Sequence, residues 1–368
     1  MPREGSGAVV EAQGADLHIE PIVVDDPGPG EVLVRIEANG VCHSDLWAIA
    51  NGNWGASWPM LVGHEAAGIV EAAGDGVASP GVGDRVVMSW AVPCGRCRSC
   101  TRGFPRRCAH EWVQPPRMRR ARTGEVLTGT LSIGGLATHT VVHAAQAISI
   151  PEGTDPIRAC LLGCGASTGI GAAVNTAKIG PGDRVAVIGL GGIGLAALQG
   201  ARAAGAEVIV GVDLVAAKLD VARRLGATDT VDATATDAVA AVRRLTGGVD
   251  AAFEATGNAS VVAQAVAMLD RGGVAVAIGV PAPGSRLDVA WGGDAEGAAY
   301  PNKATLLITD GGDPVPADDF PTWLGWDAEG TIDLGAMVSV VAPLDEPALA
   351  EAFRAMVAGE VVRTVICP

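Results

Sequence analysis

Apolar and charged positions alternate through Glu31–Glu37 (EVLVRIE), which is the period of a half-buried strand, and the preceding Asp25–Gly30 (DDPGPG) has turn chemistry. Gly81–Met88 (GVGDRVVM) repeats the glycine turn followed by a strand, so residues 1–90 read as short β-rich segments. From Gly182 the pattern changes. Arg184–Ile188 is a continuous apolar strand, the kind a parallel sheet buries on both faces. Gly192–Ala204 has a helical period, Glu207–Val212 is a second strand, and Val215–Leu225 is an amphipathic helix closed by Gly226. Asp250–Ala255, Val261–Leu269 and Val274–Gly279 continue as strand, helix, strand. This alternation predicts a parallel, doubly wound sheet. After about Ala282 it degrades into a Gly/Pro/Asp-rich stretch, with no fixed-period repeat and no long linker.

The chain's 368 residues suit two or three domains at one per ~150 residues. Hydrophobic residues make up 49%, enough for a real core, which excludes a disordered tail or a small stapled scaffold. There are 41 acidic side chains against 26 basic ones, a net charge of -15, so the basic footprint of a nucleic-acid binder is missing. No apolar run reaches the ~18 residues of a membrane-spanning helix, and the stretch around Val185–Leu198 is broken by four glycines. The beginning, MPREGSGAVV, has no apolar core of a secretion signal. A cytoplasmic location is therefore expected, with no membrane or nucleic-acid partner. In that compartment the eight cysteines read mostly as thiols, and their spacing points to metal.

Gly189-Leu190-Gly191-Gly192-Ile193-Gly194 follows the strand VAVI and opens a helix. In that context G-x-G-x-x-G binds a dinucleotide. The first glycine permits the tight turn, the second lets backbone approach a pyrophosphate, and the third lets helix and strand pack closely. The helix N-terminus offers unpaired N–H groups to the phosphates. Asp213 ends the next strand, 19 positions after Gly194, where a carboxylate accepts from ribose hydroxyls and repels a 2′-phosphate. NAD(H) is therefore favoured over NADP(H).

Cys94, Cys97, Cys100 and Cys108 form C-x2-C-x2-C-x7-C. Four thiolates this close make a closed, tetrahedral, structural zinc site. Iron–sulfur ligation competes, although its usual fourth ligand follows after three residues rather than seven. Cys42, His64 and Cys164 each sit in a glycine-punctuated turn: GVCHSD, VGHEAAG and LGCGAST. Singly, each reads as a core or loop residue. Together they are two soft thiolates and an imidazole, a set suited to catalytic zinc with a fourth place open.

With these motifs on the page, the chain resembles the zinc-dependent medium-chain alcohol dehydrogenases. GVCHSDL, GHEAAGIVEAAGDGV, GDRV, CGRCRSCTRG, GCGASTGIGAA, VAVIGLGGIGLAALQGARAAGA, ATGN and VVRTVI fall in the family's order over nearly the whole chain. PIVVDDPGPGEVLVRIEANGVCHSDL and LLGCGASTGIGAAVNTAKIG look most like the bacterial branch of thiol-dependent formaldehyde dehydrogenases, which act on a mycothiol adduct. The resemblance implies an α/β fold with a GroES-like, β-rich catalytic domain from residues 1–165 and 311–368 and a Rossmann domain from 166–310. It implies two zinc ions per chain, NAD(H), a small alcohol or aldehyde substrate, and a homo-oligomer, dimer or tetramer. Cys42, His64 and Cys164 would bind catalytic zinc. Glu65 would be an acid near the metal, and Asp45 would fix the imidazole of His64. Ser44 would bond the substrate oxygen and begin a proton relay through the nicotinamide ribose. Thr168 would pack beside the nicotinamide. His43 and Arg363 would contact the pyrophosphate, and Asp213 and Lys218 would hold the adenosine ribose.

Three features depart from the family pattern. Trp47 stands where many members carry a relay histidine, and it cannot pass a proton. Trp47, Trp54 and Trp90 map near the substrate cleft, where flat walls suit a bulky or aromatic primary alcohol. The segment Trp291–Trp326 is acidic and proline-rich where basic and aromatic residues are usual. The tract Arg117–Arg122 is a basic patch on an acidic protein, read either as a solvated loop or as a hold for an anionic tail or partner. The function expected is oxidation of a bulky or aromatic primary alcohol, or reduction of its aldehyde, with NAD(H). A thiol-adduct formaldehyde dehydrogenase is the nearer alternative and a non-catalytic NAD- and zinc-binding scaffold the more distant one.

Overall fold

The computed structural model describes residues 1–52, 57–110, 112, 114–292 and 297–368. They form two compact units. Met1–Cys164, Val315–Gly325 and Leu334–Pro368 make up the first, and Gly165–Pro314 with Trp326–Asp333 the second.

The first unit is mostly β. A closed barrel runs through Arg3–Val10, Leu17–Val24, Met118–Arg120, Val126–Gly129 and Met60–Leu61. Beside it a seven-stranded sheet has the order Ala147–Ser149, Arg85–Met88, Glu65–Ala73, Glu31–Gly40, Arg363–Cys367 and Val338–Pro343, with His139–His143 also paired to Glu31–Gly40. The strand predicted from EVLVRIE runs on to Gly40, but it is buried on both faces rather than half-buried, with Val32, Leu33 and Val34 all fully buried. Strand Arg363–Cys367 pairs with Glu31–Gly40 through Val365 opposite Gly40 and Ile366 opposite Asn39. The last residues of the chain are thereby laid against the strand that leads into Cys42.

The second unit is a six-stranded, wholly parallel sheet in the order Asp229–Asp232, Val208–Asp213, Arg184–Ile188, Val249–Glu254, Leu269–Ala277, Thr305–Ile308. This is the 3-2-1-4-5-6 order of a Rossmann sheet. Helices Gly192–Ala203, Ala216–Leu225 and Ala259–Met268 stand within a residue or two of the predicted ones, and Gly226 takes the left-handed conformation that ends its helix (φ +114°). Strand Asp229–Asp232 and helix Ala238–Thr246 escape the sequence reading, because a four-residue strand with aspartate at both ends shows no apolar run. The Gly/Pro/Asp-rich stretch is more ordered than its composition suggests. It contains the helix Pro316–Ala328, where Asp318 and Asp319 favour the N-terminal turn and Phe320, Trp323 and Leu324 form a buried stripe that outweighs the interior Pro321. No single described helix is long and apolar enough to cross a membrane.

Most of the arginine tract is neither a solvated loop nor an open anion site, and only Arg122 sits in an exposed turn. Met118–Arg120 is a barrel strand, and its charges are met from within. Arg117 Nε pairs with Glu31 at 2.7 Å, Arg119 with Asp25, and Arg120 with Glu11, Glu20 and Glu125. Glu31 is only 1% exposed and also accepts the Gly28 N–H at 2.6 Å. Arg117→Gln should therefore strip a buried carboxylate of its counter-charge and cost about 2 kcal/mol, discounted because the arginine is partly exposed. Exposed Arg122→Ala should change stability by no more than about 0.5 kcal/mol. Urea midpoints of the two variants check this, and equal midpoints would refute the structural role of the tract.

Candidate active site

Cys42 precedes the helix His43–Asn51, whose third residue, Asp45, turns back onto the chain. The Asp45 carboxylate accepts the Cys42 N–H (3.4 Å), the Gly63 N–H (3.1 Å) and the His64 Nδ1–H (2.9 Å). Because an ionised carboxylate only accepts, Nδ1 must carry the imidazole proton and the lone pair lies on Nε2. That Nε2 is buried and has no hydrogen-bond partner among the described residues. Around it are Cys42, Glu65 and Cys164, and one donor atom from each of these four residues lies within 4.8 Å of all the others. Asp45, His64 and Glu65 are wholly buried, and Cys42 and Cys164 nearly so. A lone pair buried without a donor, facing two thiols, fits a soft divalent cation, so this donor set could hold zinc.

The Cys42 thiol is held well below its ordinary pKa by the hydrogen bond from Cys164, against burial, with help from His64. Cys164 is pushed up by the same bond, so the two sulfurs compete for one proton. Burial works against an imidazolium at His64, yet the charge and hydrogen bond of Asp45 outweigh it and raise its pKa, so a proton and a metal ion compete for Nε2.

Arg363 lies against this centre. Its Nη2 pairs with Glu65 Oε1 at 3.4 Å and its Nη1 donates to the Val41 carbonyl at 3.3 Å. The Glu65 contact is one that sequence reasoning misses, since no local pattern ties positions nearly three hundred residues apart. His43 is exposed on the first turn of the helix, Ser44 half-buried beside it and Trp47 half-buried one turn on. Trp90 packs against the core formed by Val32, Val34, Ile36 and Met88. Trp54 lies outside the described residues.

The four-cysteine lobe gathers Cys94, Cys97, Cys100 and Cys108 as a second group that could hold a metal ion. Cys97 Sγ lies 3.5 Å from Cys100 Sγ and 3.8 Å from Cys108 Sγ. A tetrahedron with arms of ~2.3 Å has edges close to that spacing. The Cys94 thiol is lowered to about 6, first by the Arg96 backbone N–H, while burial raises Cys100 to about 12. One site is half-exposed and local; the other is buried and assembled from distant segments.

In the second unit the glycine loop shows the division of labour its spacing predicts. Gly189 has φ +89°, and a Cβ there would meet Thr256 Cγ2 at 2.6 Å. A Cβ on Gly194 would meet Gly189 O at 1.8 Å, so this glycine is required by packing. A Cβ on Gly191 would meet nothing within 4 Å among the described residues, so the open space there fits a ligand. Gly192 opens the helix and Ile193 follows it, half-buried. Asp213 does more than expected. Its Oδ2 accepts the Leu190 N–H at 2.6 Å and its Oδ1 the Leu214 and Val215 N–H groups at 2.8 and 2.9 Å, which ties the glycine loop to the next one. Lys218 is half-buried on the helix that follows, and Thr168 is buried in the helix Gly165–Gly171.

Two family models match the chain: the alcohol dehydrogenase GroES-like domain over residues 28–152 and the zinc-binding dehydrogenase over residues 192–291. A curated relative, the S-(hydroxymethyl)glutathione dehydrogenase of Escherichia coli O157:H7, is 35% identical over 381 residues, covering 98% of each chain. Among solved structures, an alcohol dehydrogenase zinc-binding domain protein from Burkholderia ambifaria is 31% identical with a TM-score of 0.92, covering 100% of this chain and 99% of that one. Benzyl alcohol dehydrogenase from Acinetobacter calcoaceticus is 29% identical with a TM-score of 0.88, covering 99% of each. By fold, donor sets and these relatives, the chain belongs to the zinc-dependent medium-chain alcohol dehydrogenases, oxidoreductases that work with zinc and a nicotinamide cofactor.

Proposed function

We propose that this protein oxidises a bulky or aromatic primary alcohol, or reduces the matching aldehyde, with NAD(H), at a zinc held by Cys42, His64 and Cys164. A second, closed zinc on Cys94, Cys97, Cys100 and Cys108 pins the lobe. The observation that carries this reading is the buried His64 Nε2, turned by Asp45 and left without a partner among the described residues beside two thiols. When bound, zinc supplies a Lewis acid for the substrate oxygen and the nicotinamide supplies the hydride chemistry. The chain's own residues orient and dry the site. Asp45 fixes the His64 ring, and the Ser44 hydroxyl is the first acceptor for the alcohol proton. Trp47 passes no proton, so the relay goes from Ser44 to the cofactor ribose, His43 or water. Asp213, held by three backbone N–H groups, presents a fixed negative charge that supports NAD(H) over NADP(H). The apolar edge strand Thr305–Ile308, with Ile308 80% exposed, supports a homo-oligomer.

The likeness to benzyl alcohol dehydrogenase and the tryptophan at position 47 support a large, flat substrate. The S-(hydroxymethyl)glutathione dehydrogenase relatives support the second reading, a thiol-adduct formaldehyde dehydrogenase. Benzyl alcohol should be turned over with higher kcat/KM than ethanol, and Trp47→His should narrow that gap and alter the pH profile of oxidation. Steady-state rates on the pair check it. Turnover of formaldehyde that requires mycothiol or glutathione and exceeds that of benzyl alcohol would favour the second reading.

Protein purified without chelator should carry two zinc ions per chain by elemental analysis. His64→Ala should lose one of them and all turnover while keeping its far-ultraviolet circular dichroism. Retention of both ions in that variant would sink the catalytic assignment.

Gly191→Ala should fold normally yet weaken NADH binding by ~10-fold or more, because it fills the space where backbone would meet the pyrophosphate. Gly194→Ala should instead lower the thermal midpoint, because its Cβ collides with Gly189 O. NADH fluorescence titration and thermal melts separate the two, and a Gly191→Ala protein with native NADH affinity would refute the cradle.

A further inference from the structure

A strand at the end of a sheet carries backbone N–H and C=O groups that only water or another strand can meet, and folded chains blunt such edges with charge, brevity, proline or a bulge. The seven-stranded sheet ends on Ala147–Ser149 and Val338–Pro343, and the parallel sheet on Asp229–Asp232 and Thr305–Ile308. Ala147–Ser149 is blunted by its length of three residues and Asp229–Asp232 by an aspartate at each end. Val338–Pro343 (VSVVAP) is more open. It pairs in parallel with Arg363–Cys367, Val340 opposite Thr364 and Val341 opposite Val365, and no described strand pairs with its other side. Ser339, Val340 and Val341 are all exposed, the two valines by 42% and 50%. Successive side chains point to opposite faces, so both faces as well as the edge reach solvent. Guards stand only at the two ends, an irregular step between Val338 and Val340 and Pro343 itself. From Leu334 to Leu344 (LGAMVSVVAPL) there is no charged residue, on a chain with a net charge of -15.

We propose that Val338–Pro343 is a contact between copies of this chain, pairing antiparallel with the same strand of a second copy across a two-fold axis. A strand's open edge is filled by a strand, and a second copy brings one already formed, with no ordering cost at the moment of contact. A two-fold placed between Val340 and Val341 sets Val340 of each copy against Val341 of the other, so β-branched side chains meet on both faces. Charge points the same way. Two chains of net charge -15 repel one another, and this neutral strip is where they can approach without placing like charges together. Such a contact is isologous and closes on itself. It is a different surface from Thr305–Ile308, the edge that supports a homo-oligomer above. Two different isologous contacts on one chain generate a dihedral tetramer, whereas one alone stops at a dimer. The pairing of Val338–Pro343 stands without the reading of Thr305–Ile308; the count of four chains rests on it.

The test is the mass of the full-length protein, as purified, by sedimentation and light scattering. The native protein should weigh four chains of 37.0 kDa. Val341→Lys should fall to two chains with unchanged circular dichroism, because a charge now sits on the strip. Val341→Thr, β-branched and neutral, should stay at four. Val340→Lys, on the opposite face, decides if Val341→Lys fails to fold. Ile308→Lys probes the other edge and should also leave two chains, held by Val338–Pro343 alone. Raising the salt from ~0.1 M to ~1 M should leave that dimer whole, since no ion pair joins the strands. A native mass that lysine at neither 340 nor 341 lowers would overturn the proposal, as would salt splitting the Ile308→Lys dimer. A native dimer split by Ile308→Lys and untouched by Val341→Lys would overturn it while upholding Thr305–Ile308. A native dimer with the opposite response would uphold the pairing and remove the reading of Thr305–Ile308. A native monomer would overturn both.

Discussion

The Asp45 carboxylate is the contact on which the proposed metal centre depends. It is wholly buried, and a charge in that position survives only if its lone pairs are filled. Three donors fill them: the Cys42 and Gly63 backbone N–H groups and His64 Nδ1. Two of these belong to the turn Gly63–His64 and one to the start of the helix His43–Asn51. The same carboxylate therefore joins the two segments, selects the histidine tautomer and aims Nε2. Gly63 has φ +97°, and a Cβ there would come within 2.3 Å of the Leu136 backbone nitrogen, so the turn that presents His64 accepts no other residue.

The same rule of filled partners explains how a chain with a net charge of -15 places its arginines. Arg117, Arg119 and Arg120 pair with Glu31, Asp25 and the trio Glu11, Glu20 and Glu125. In the second unit Arg184 spans Asp250 and Asp270 and also donates to Thr246 O. A basic run in sequence is thus an internal lattice in space. Most of its partners, Glu11, Glu20, Asp25 and Glu31, come from segments far away in the chain, which is why the run reads along one dimension as a solvated loop or a hold for an anion.

What could be read from sequence follows the same division. The parallel sheet was legible because Arg184–Ile188, the strand ending at Asp213, and the helices between them each carry a local period or cap. The glycine loop was legible because each glycine answers a local demand. Strand Asp229–Asp232 and helix Pro316–Ala328 were not, since tertiary burial of Val231, Phe320 and Trp323 overrides aspartate and proline there. Asp213 was recognised as an acid at a strand end, but its hold on the Leu190 N–H needs the loop's three-dimensional return. The pairing of Arg363 with Glu65 was invisible for the same reason.

The two donor sets show why one declares itself in sequence and the other does not. Cys94 to Cys108 close within a single short loop, so the entropy of bringing them together is small and the metal itself can drive the closure. Their sulfurs are only half-buried, and all four lie between positions 94 and 108. Cys42, His64 and Cys164 span much of the first unit, and the sheet that seats Glu65–Ala73 against Glu31–Gly40 must form before they meet. On the proposed reading the fold makes this site, whereas in the lobe a bound metal would help to make the fold. A centre assembled by the fold can afford an incomplete shell, because its proposed ligands would be held by packing and by Asp45 rather than by the ion. An incomplete shell, kept dry and rigid, is what a reaction at the metal requires.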